Sequence, residues 1–119
     1  MILTAHQPVY LPWLGLFHKI ALADLFCYFD IVQYQRKDYN NRNKIKTSNG
    51  ELWLSVPVES KNHLSKNVSK ILIVQDNWVK KHLKSIELNY KKTPFFKDYF
   101  PELQSILIND SKDSLGYLN

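Results

Sequence analysis

Apolar residues open the chain in a short run, Ile2 to Ala5, that stops at His6-Gln7-Pro8, the pattern of a buried strand entering a loop. From Trp13 to Ala23 the apolar positions Leu14, Phe17 and Ala21, with Leu16 and Ile20 beside them, recur at helical spacing, and Pro12 suits the helix entrance. Leu25 to Phe29 is then a continuous apolar and aromatic run ending at Asp30, as expected for a strand covered on both faces. Strand, helix and strand in this order make a βαβ unit. A connection of this length suits a right-handed crossover, which sets the two strands parallel.

Beyond Asp30 the pattern turns polar. Gln33 to Lys46 reads as a loop that becomes one arm of a hairpin, Ser48-Asn49-Gly50 as its turn, and Glu51 to Val58 as the other arm, with Pro57 marking an end or an edge. A polar connection, Glu59 to Ser69, leads to Lys70-Ile71-Leu72-Ile73-Val74, which has the composition of another buried strand. After Asp76 the period becomes helical. Trp78, Val79, His82, Leu83, Ile86 and Tyr90 share one face of a helix that Pro94 ends, and a second helix is predicted over Pro101 to Ile108. Asp113 to Asn119 has the look of a helix's opening turn with no stop signal, so the pattern predicts a chain that continues, with an apolar patch exposed where the remainder packs. The fold class is therefore α/β: a Rossmann-like βαβ start with a mostly parallel sheet, a hairpin and C-terminal helices.

With 119 residues, 45% hydrophobic and 23% charged, the chain has the size and balance of a single globular domain. Its 16 Lys and Arg against 11 Asp and Glu leave a net charge of +5, which fits an acidic partner such as a nucleotide, a nucleic acid or a phosphorylated lipid, or serves solubility alone. A lone cysteine, Cys27, lies in an apolar run, so it reads as core, excludes an internal disulfide and points to the reducing cytoplasm. No run is long enough for a transmembrane segment and no signal peptide opens the chain.

The candidate chemistry sits in the first 46 residues. His6, Gln7, Tyr10 and Trp13 are held between two prolines where a strand end meets a helix start, a place that favours ligands. His6 is the best candidate for an acid or base because its pKa lies near neutrality, against the alternative that it caps a strand. Asp30, at the end of the parallel neighbour, could orient His6, bind a ribose hydroxyl, hold a metal or cap the following turn. Gln33 and Tyr34 continue from that edge. Arg36, Lys37, Asn40, Asn41, Arg42, Asn43 and Lys46, with Tyr39 among them, mix planar donors with an aromatic ring. That mixture suits phosphate and sugar hydroxyls, with Arg42 the strongest anion-binding candidate, although a basic run can also simply face solvent. The predicted site is thus His6 and Asp30 as catalytic groups and Gln7, Tyr10, Trp13, Gln33, Arg36, Asn41, Arg42, Asn43 and Lys46 as substrate contacts. Trp53, Trp78 and Phe95-Phe96 read as core or interface. His6, His18, His63 and His82 lack a paired spacing for metal, and no glycine-rich phosphate loop or serine elbow names a cofactor.

His6-Gln-Pro-Val-Tyr-Leu-Pro-Trp-Leu-Gly15, Phe17-His-Lys-Ile20, Asn41-Arg42-Asn43, Trp53-Leu-Ser-Val-Pro-Val58, Leu88-Asn-Tyr90 and Pro94-Phe-Phe96 together resemble the WbqC-like family of bacterial proteins over essentially the whole chain. The resemblance implies a longer protein of which these residues are the N-terminal half. It also implies a role in O-antigen and related surface polysaccharide biosynthesis, with transfer of glycine or a similar small group onto a sugar as a suggested activity. At the level of fold, strand, Pro-rich loop, helix and Asp-ended strand are similar to Rossmann-like nucleotidyltransferases. Their His-x-Gly-His signature is missing, with Leu11-Pro12-Trp13 in its neighbourhood. The expected function is a cytoplasmic transferase acting on a phosphorylated, nucleotide- or lipid-linked sugar. The alternatives are a binding module for nucleotide-sugars or, less favoured, nucleic acid, and a scaffold subunit or homo-oligomer whose aromatics line an interface.

Overall fold

The computed structural model describes residues 1–59 and 61–119. Leu3–His6 (β1) pairs in parallel with Leu25–Tyr28 (β2), Leu3 opposite Leu25 and His6 opposite Tyr28, and the helix Leu14–Ala21 (α1) makes the crossover. The expected βαβ unit is therefore present. Gly15 matters to its entrance. A Cβ there would stand 2.4 Å from the Trp13 indole nitrogen, so glycine is what lets Trp13 fold back over the first helical turn.

The covering of these strands differs from the expectation. Leu3 is 61% and Leu25 55% exposed, Cys27 is exposed rather than core, and on α1 only Leu16 is buried while Leu14 and Phe17 face solvent. Parallel strands need cover on both faces, and one eight-residue helix is too small to supply it. Apolar side chains of this unit are thus left exposed.

Arg42–Thr47 (β3) and Gly50–Ser55 (β4) form an antiparallel hairpin, Arg42 opposite Ser55 and Thr47 opposite Gly50. Gly50 has φ +110, which the tight turn requires. Period-two alternation puts Asn43, Ile45 and Leu54 towards the core and Arg42, Lys44, Trp53 and Ser55 on the other face. The two strand pairs are separate two-stranded sheets, so parallel pairing is confined to the start of the chain.

The predicted strand Lys70 to Val74 is instead an extended segment that follows from a short 3-10 turn at Val68–Lys70, joined to its neighbours among the described residues by the single bridges Val58 to Ile73 and Leu72 to Ser114. Its inside-outside alternation is intact, with Ile71 and Ile73 buried. Pro57 limits the ladder. Its carbonyl accepts from Val74 N at 2.9 Å, but a proline has no N–H to return. Ser60, within the expected Glu59 to Ser69 connection, lies outside the described residues.

The helix Trp78–Tyr90 (α2) buries Trp78, His82, Leu83 and Ile86, the face its sequence predicts. The next, Phe96–Asp110 (α3), starts five residues earlier than the expected Pro101 and carries that proline inside it. Proline removes one backbone bond, but Lys97, whose carbonyl loses its partner, is exposed to water. Phe96 and Phe100, stacked with centroids 4.4 Å apart, hold the first turns. Leu115–Leu118 (α4) follows, with Ser114 Oγ accepting from Tyr117 N at its entrance. The core lies among the hairpin's inner face, Val68 to Ile73, α2, α3 and α4, and no residue of β1, α1 or β2 belongs to it.

Candidate anion-binding site

Two loops meet beside this core, and asparagines join them. Asn40, buried, donates from Nδ2 to the Pro8 carbonyl at 2.8 Å. Asn43 Nδ2 donates to the Tyr10 and Leu11 carbonyls at 3.2 and 2.8 Å, and its Oδ1 accepts from Lys44 N. The Tyr10 N–H reaches the Tyr39 carbonyl at 3.1 Å. These bonds hold Leu11 at φ 46, in the left-handed region, which disfavours a branched side chain. Asn43 is therefore a clamp on the Pro8 to Leu11 loop, its amide spent on protein partners.

At the end of β1, His6 donates from Nδ1 to the Gln7 carbonyl at 2.8 Å. A carbonyl only accepts, so the proton sits on Nδ1 and the lone pair of the neutral ring on Nε2. Trp13 meets the ring edge-on, centroids 5.5 Å apart. A cavity of about 320 Å³ opens here, lined by Ala5, His6, Gln7, Phe29 and Val32. Phe29 N donates to the His6 carbonyl, which puts Asp30 one residue further on, its own carbonyl accepting from Ser69 N. Among the described residues no hydrogen bond joins the Asp30 carboxylate to His6. Its charge instead acts on Tyr28, whose phenol burial and then Asp30 push up to about 12.

The second cavity, about 290 Å³, is lined by Tyr34, Arg36, Lys37, Asn41, Arg42 and the Ser55 to Val58 segment. Arg42 anchors it. One guanidinium nitrogen, Nη2, donates to the Lys37 carbonyl, the guanidinium carbon lies 4.1 Å from the Trp53 ring centroid, and Nε is buried without a partner. Lys37 stands at φ 63, a left-handed turn that aims its carbonyl at Arg42. Asn41 exchanges bonds with Val56: its Nδ2 donates to the Val56 carbonyl at 2.9 Å, and its own carbonyl accepts from Val56 N at 2.7 Å. Burial holds the Tyr34 phenol above its ordinary value, with Arg36 and Arg42 pulling it down, so it remains a donor. Among the described residues no carboxylate pairs with Arg36, Lys37 or Arg42, whereas Lys44 pairs with Glu51 at 2.5 Å. Three unneutralised cations around one concavity attract an anion.

The predicted site residues thus divide. His6, Gln7 and Trp13 gather at the strand end, and Arg36, Asn41 and Arg42 around the second cavity, which shares no lining residue with the first. Tyr10 faces neither. It is buried in the core, where a hydroxyl needs a partner, and its OH donates to His82 Nδ1 at 2.8 Å. Gln33 is exposed and bridges to Asn67, and Lys46 is exposed on the hairpin's outer face.

Two features escaped the sequence reading. Trp53, expected in the core or at an interface, is 40% exposed beside Tyr39, ring centroids 5.9 Å apart, a position that alternation with the inward Leu54 signals. His82, expected only as one position on a helix face, accepts from Tyr10 and hydrogen-bonds the Ser55 backbone, and burial lowers its pKa. It ties α2 to the residue that closes the hairpin and lines the cavity. Among the described residues no three of His, Cys, Asp and Glu gather to hold a metal ion, and no helix is long and apolar enough to cross a membrane.

The model of the WbqC-like protein family matches residues 7–119. The uncharacterized protein Rv1507c of Mycobacterium tuberculosis is 36% identical over 113 residues, 95% of this chain and 49% of that protein. The chain therefore spans about half the length of the curated relative it matches. No solved structure matches.

Proposed function

Since the chain belongs to the WbqC-like protein family, we propose that it forms part of a cytoplasmic transferase of O-antigen or related surface polysaccharide biosynthesis, in which the Arg42 cavity seats the phosphate of an activated sugar. One observation carries this reading: Arg36, Lys37 and Arg42 share a cavity with the Tyr34 phenol and have no carboxylate partner among the described residues. Planar guanidinium donors suit phosphate oxygens, and a fixed anion seat orients whatever is attached to it. The sugar then extends from the cavity, and His6 Nε2 is the base available to take the proton from the sugar hydroxyl as it attacks an activated small group such as glycine, whose carrier leaves.

A second reading, a module that binds the activated sugar without acting on it, is favoured by the separation of the His6 and Arg42 cavities. Calorimetric titration with inorganic pyrophosphate tests the shared element. Binding that weakens as salt is added and is lost in Arg42→Ala supports the seat, and absence of binding at low salt overturns it. His6→Gln then separates the readings. Loss of transfer with pyrophosphate affinity kept marks a transferase, and no transfer by the unaltered chain with any sugar diphosphate and glycine donor marks a binding module.

A further inference from the structure

The outer face of the β3–β4 hairpin continues from the anion cavity without a break. Ser55 lines the cavity, and Trp53, two residues back on the same face, stands about 7 Å along the strand. Arg42 belongs to both, since its guanidinium lines the cavity and lies 4.1 Å from the Trp53 ring centroid. Lys44 Nζ is 5.0 Å from the same centroid and Tyr39 contributes a ring 5.9 Å away, tilted by 39°. Trp53 and Tyr39 stay 40% and 44% exposed, so aromatic surface is open beside a phosphate seat. That spacing is of the order separating the α-phosphate of a nucleotide from its base.

Resting on the reading of the cavity as a phosphate seat, we propose that Trp53, with Tyr39 and the Arg42 guanidinium, is a stacking platform for a nucleobase, and that the activated sugar is nucleotide-linked rather than lipid-linked. Bases stack on aromatic rings and on guanidinium planes whatever their identity. A polyprenyl chain leaving the same cavity would pass Trp53 and run on to Lys44, Lys46 and Glu51, a charged surface that offers its further isoprene units no burial.

The test titrates the 119-residue chain with uridine and adenosine diphosphates, inorganic pyrophosphate, farnesyl diphosphate and an oligouridylate. The nucleoside diphosphates bind roughly tenfold or more tighter than pyrophosphate. Trp53→Ala brings nucleoside diphosphate affinity down to the pyrophosphate affinity measured in the same variant, and Trp53→Phe keeps most of the advantage, which guards against a mere folding defect. Equal affinity for nucleoside diphosphates and pyrophosphate overturns the platform and leaves the phosphate seat standing. Farnesyl diphosphate binding as tightly as the nucleotides overturns the nucleotide link, and affinity that climbs with oligouridylate length does so in favour of nucleic acid. If pyrophosphate itself fails to bind, the seat and the platform fall together.

Discussion

Arg42 is held by the Lys37 carbonyl and the Trp53 ring while its Nε–H has no partner, an arrangement tolerated at a cost of about 1–3 kcal/mol for a buried unsatisfied donor. Arg42→Lys keeps the charge and loses the fork. It should weaken pyrophosphate binding at least severalfold while the melting temperature moves little, because a cation beside a partly exposed ring contributes only about 0.5–1 kcal/mol. Full affinity in the lysine variant would reduce the site to a general positive field. Asn43 should behave in the opposite way. Its amide donates to two loop carbonyls, so Asn43→Ala should lower the unfolding free energy by about 1–3 kcal/mol in urea titration, and unchanged stability would remove its role as a clamp. The amino-acid sequence placed these residues in one loop without dividing their tasks, because an asparagine amide serves a backbone carbonyl and a ligand hydroxyl by the same chemistry.

Elements were legible wherever one face is buried by the chain itself. The apolar stripe of α2 named Trp78, His82, Leu83 and Ile86, and the Ser48-Asn49 turn fixed the hairpin register. Elements whose surroundings decide the outcome were not. Ile71 to Val74 has a strand's composition but borders Pro57, which ends the ladder, and Pro101 lies inside α3 although proline usually marks a helix start. That position gives a direct test. Pro101→Ala restores an N–H to the Lys97 carbonyl and should stabilise the chain by about 1 kcal/mol or more, read as a raised urea midpoint. A lowered midpoint would show that the proline's restriction of the unfolded chain outweighs the missing bond. At α2 the test is pH. His82 has its pKa lowered by burial from the ordinary 6.5, so the unfolded state binds its proton first. Stability is then full above about 6.5 and falls with pH until the lower folded value is passed, with a slope of at most about 1.4 kcal/mol per pH unit. His82→Gln should flatten that slope by one proton in unfolding curves taken from pH 7.5 to 5. An unchanged slope would assign it to other groups.

At the scale of the molecule, cover is unevenly distributed. The accessible surface is 8238 Å², against about 6,700 Å² for a monomer of this mass. The radius of gyration is 15.1 Å, against about 13.5 Å for a compact domain of this length. Ile2, Leu3, Leu14, Phe17, Leu22 and Leu25 are all exposed, and β1, α1 and β2 contribute nothing to the core cluster. Strand patterning predicted burial for these runs, whereas they stay exposed because a single eight-residue helix is the cover this unit has. Exposed apolar surface of this kind binds apolar partners or itself. The chain should therefore enhance the fluorescence of an anilinonaphthalene sulfonate dye in its native state and show scattering that rises with concentration. Leu14→Lys combined with Phe17→Lys should cut both, because two charges interrupt the face. The melting transition should persist, since both side chains are exposed and outside the core cluster. Dye binding that survives the double substitution would place the sticky surface elsewhere, with the apolar groove between α2 and α3 around Tyr90, Phe95 and Tyr99 the site to substitute next.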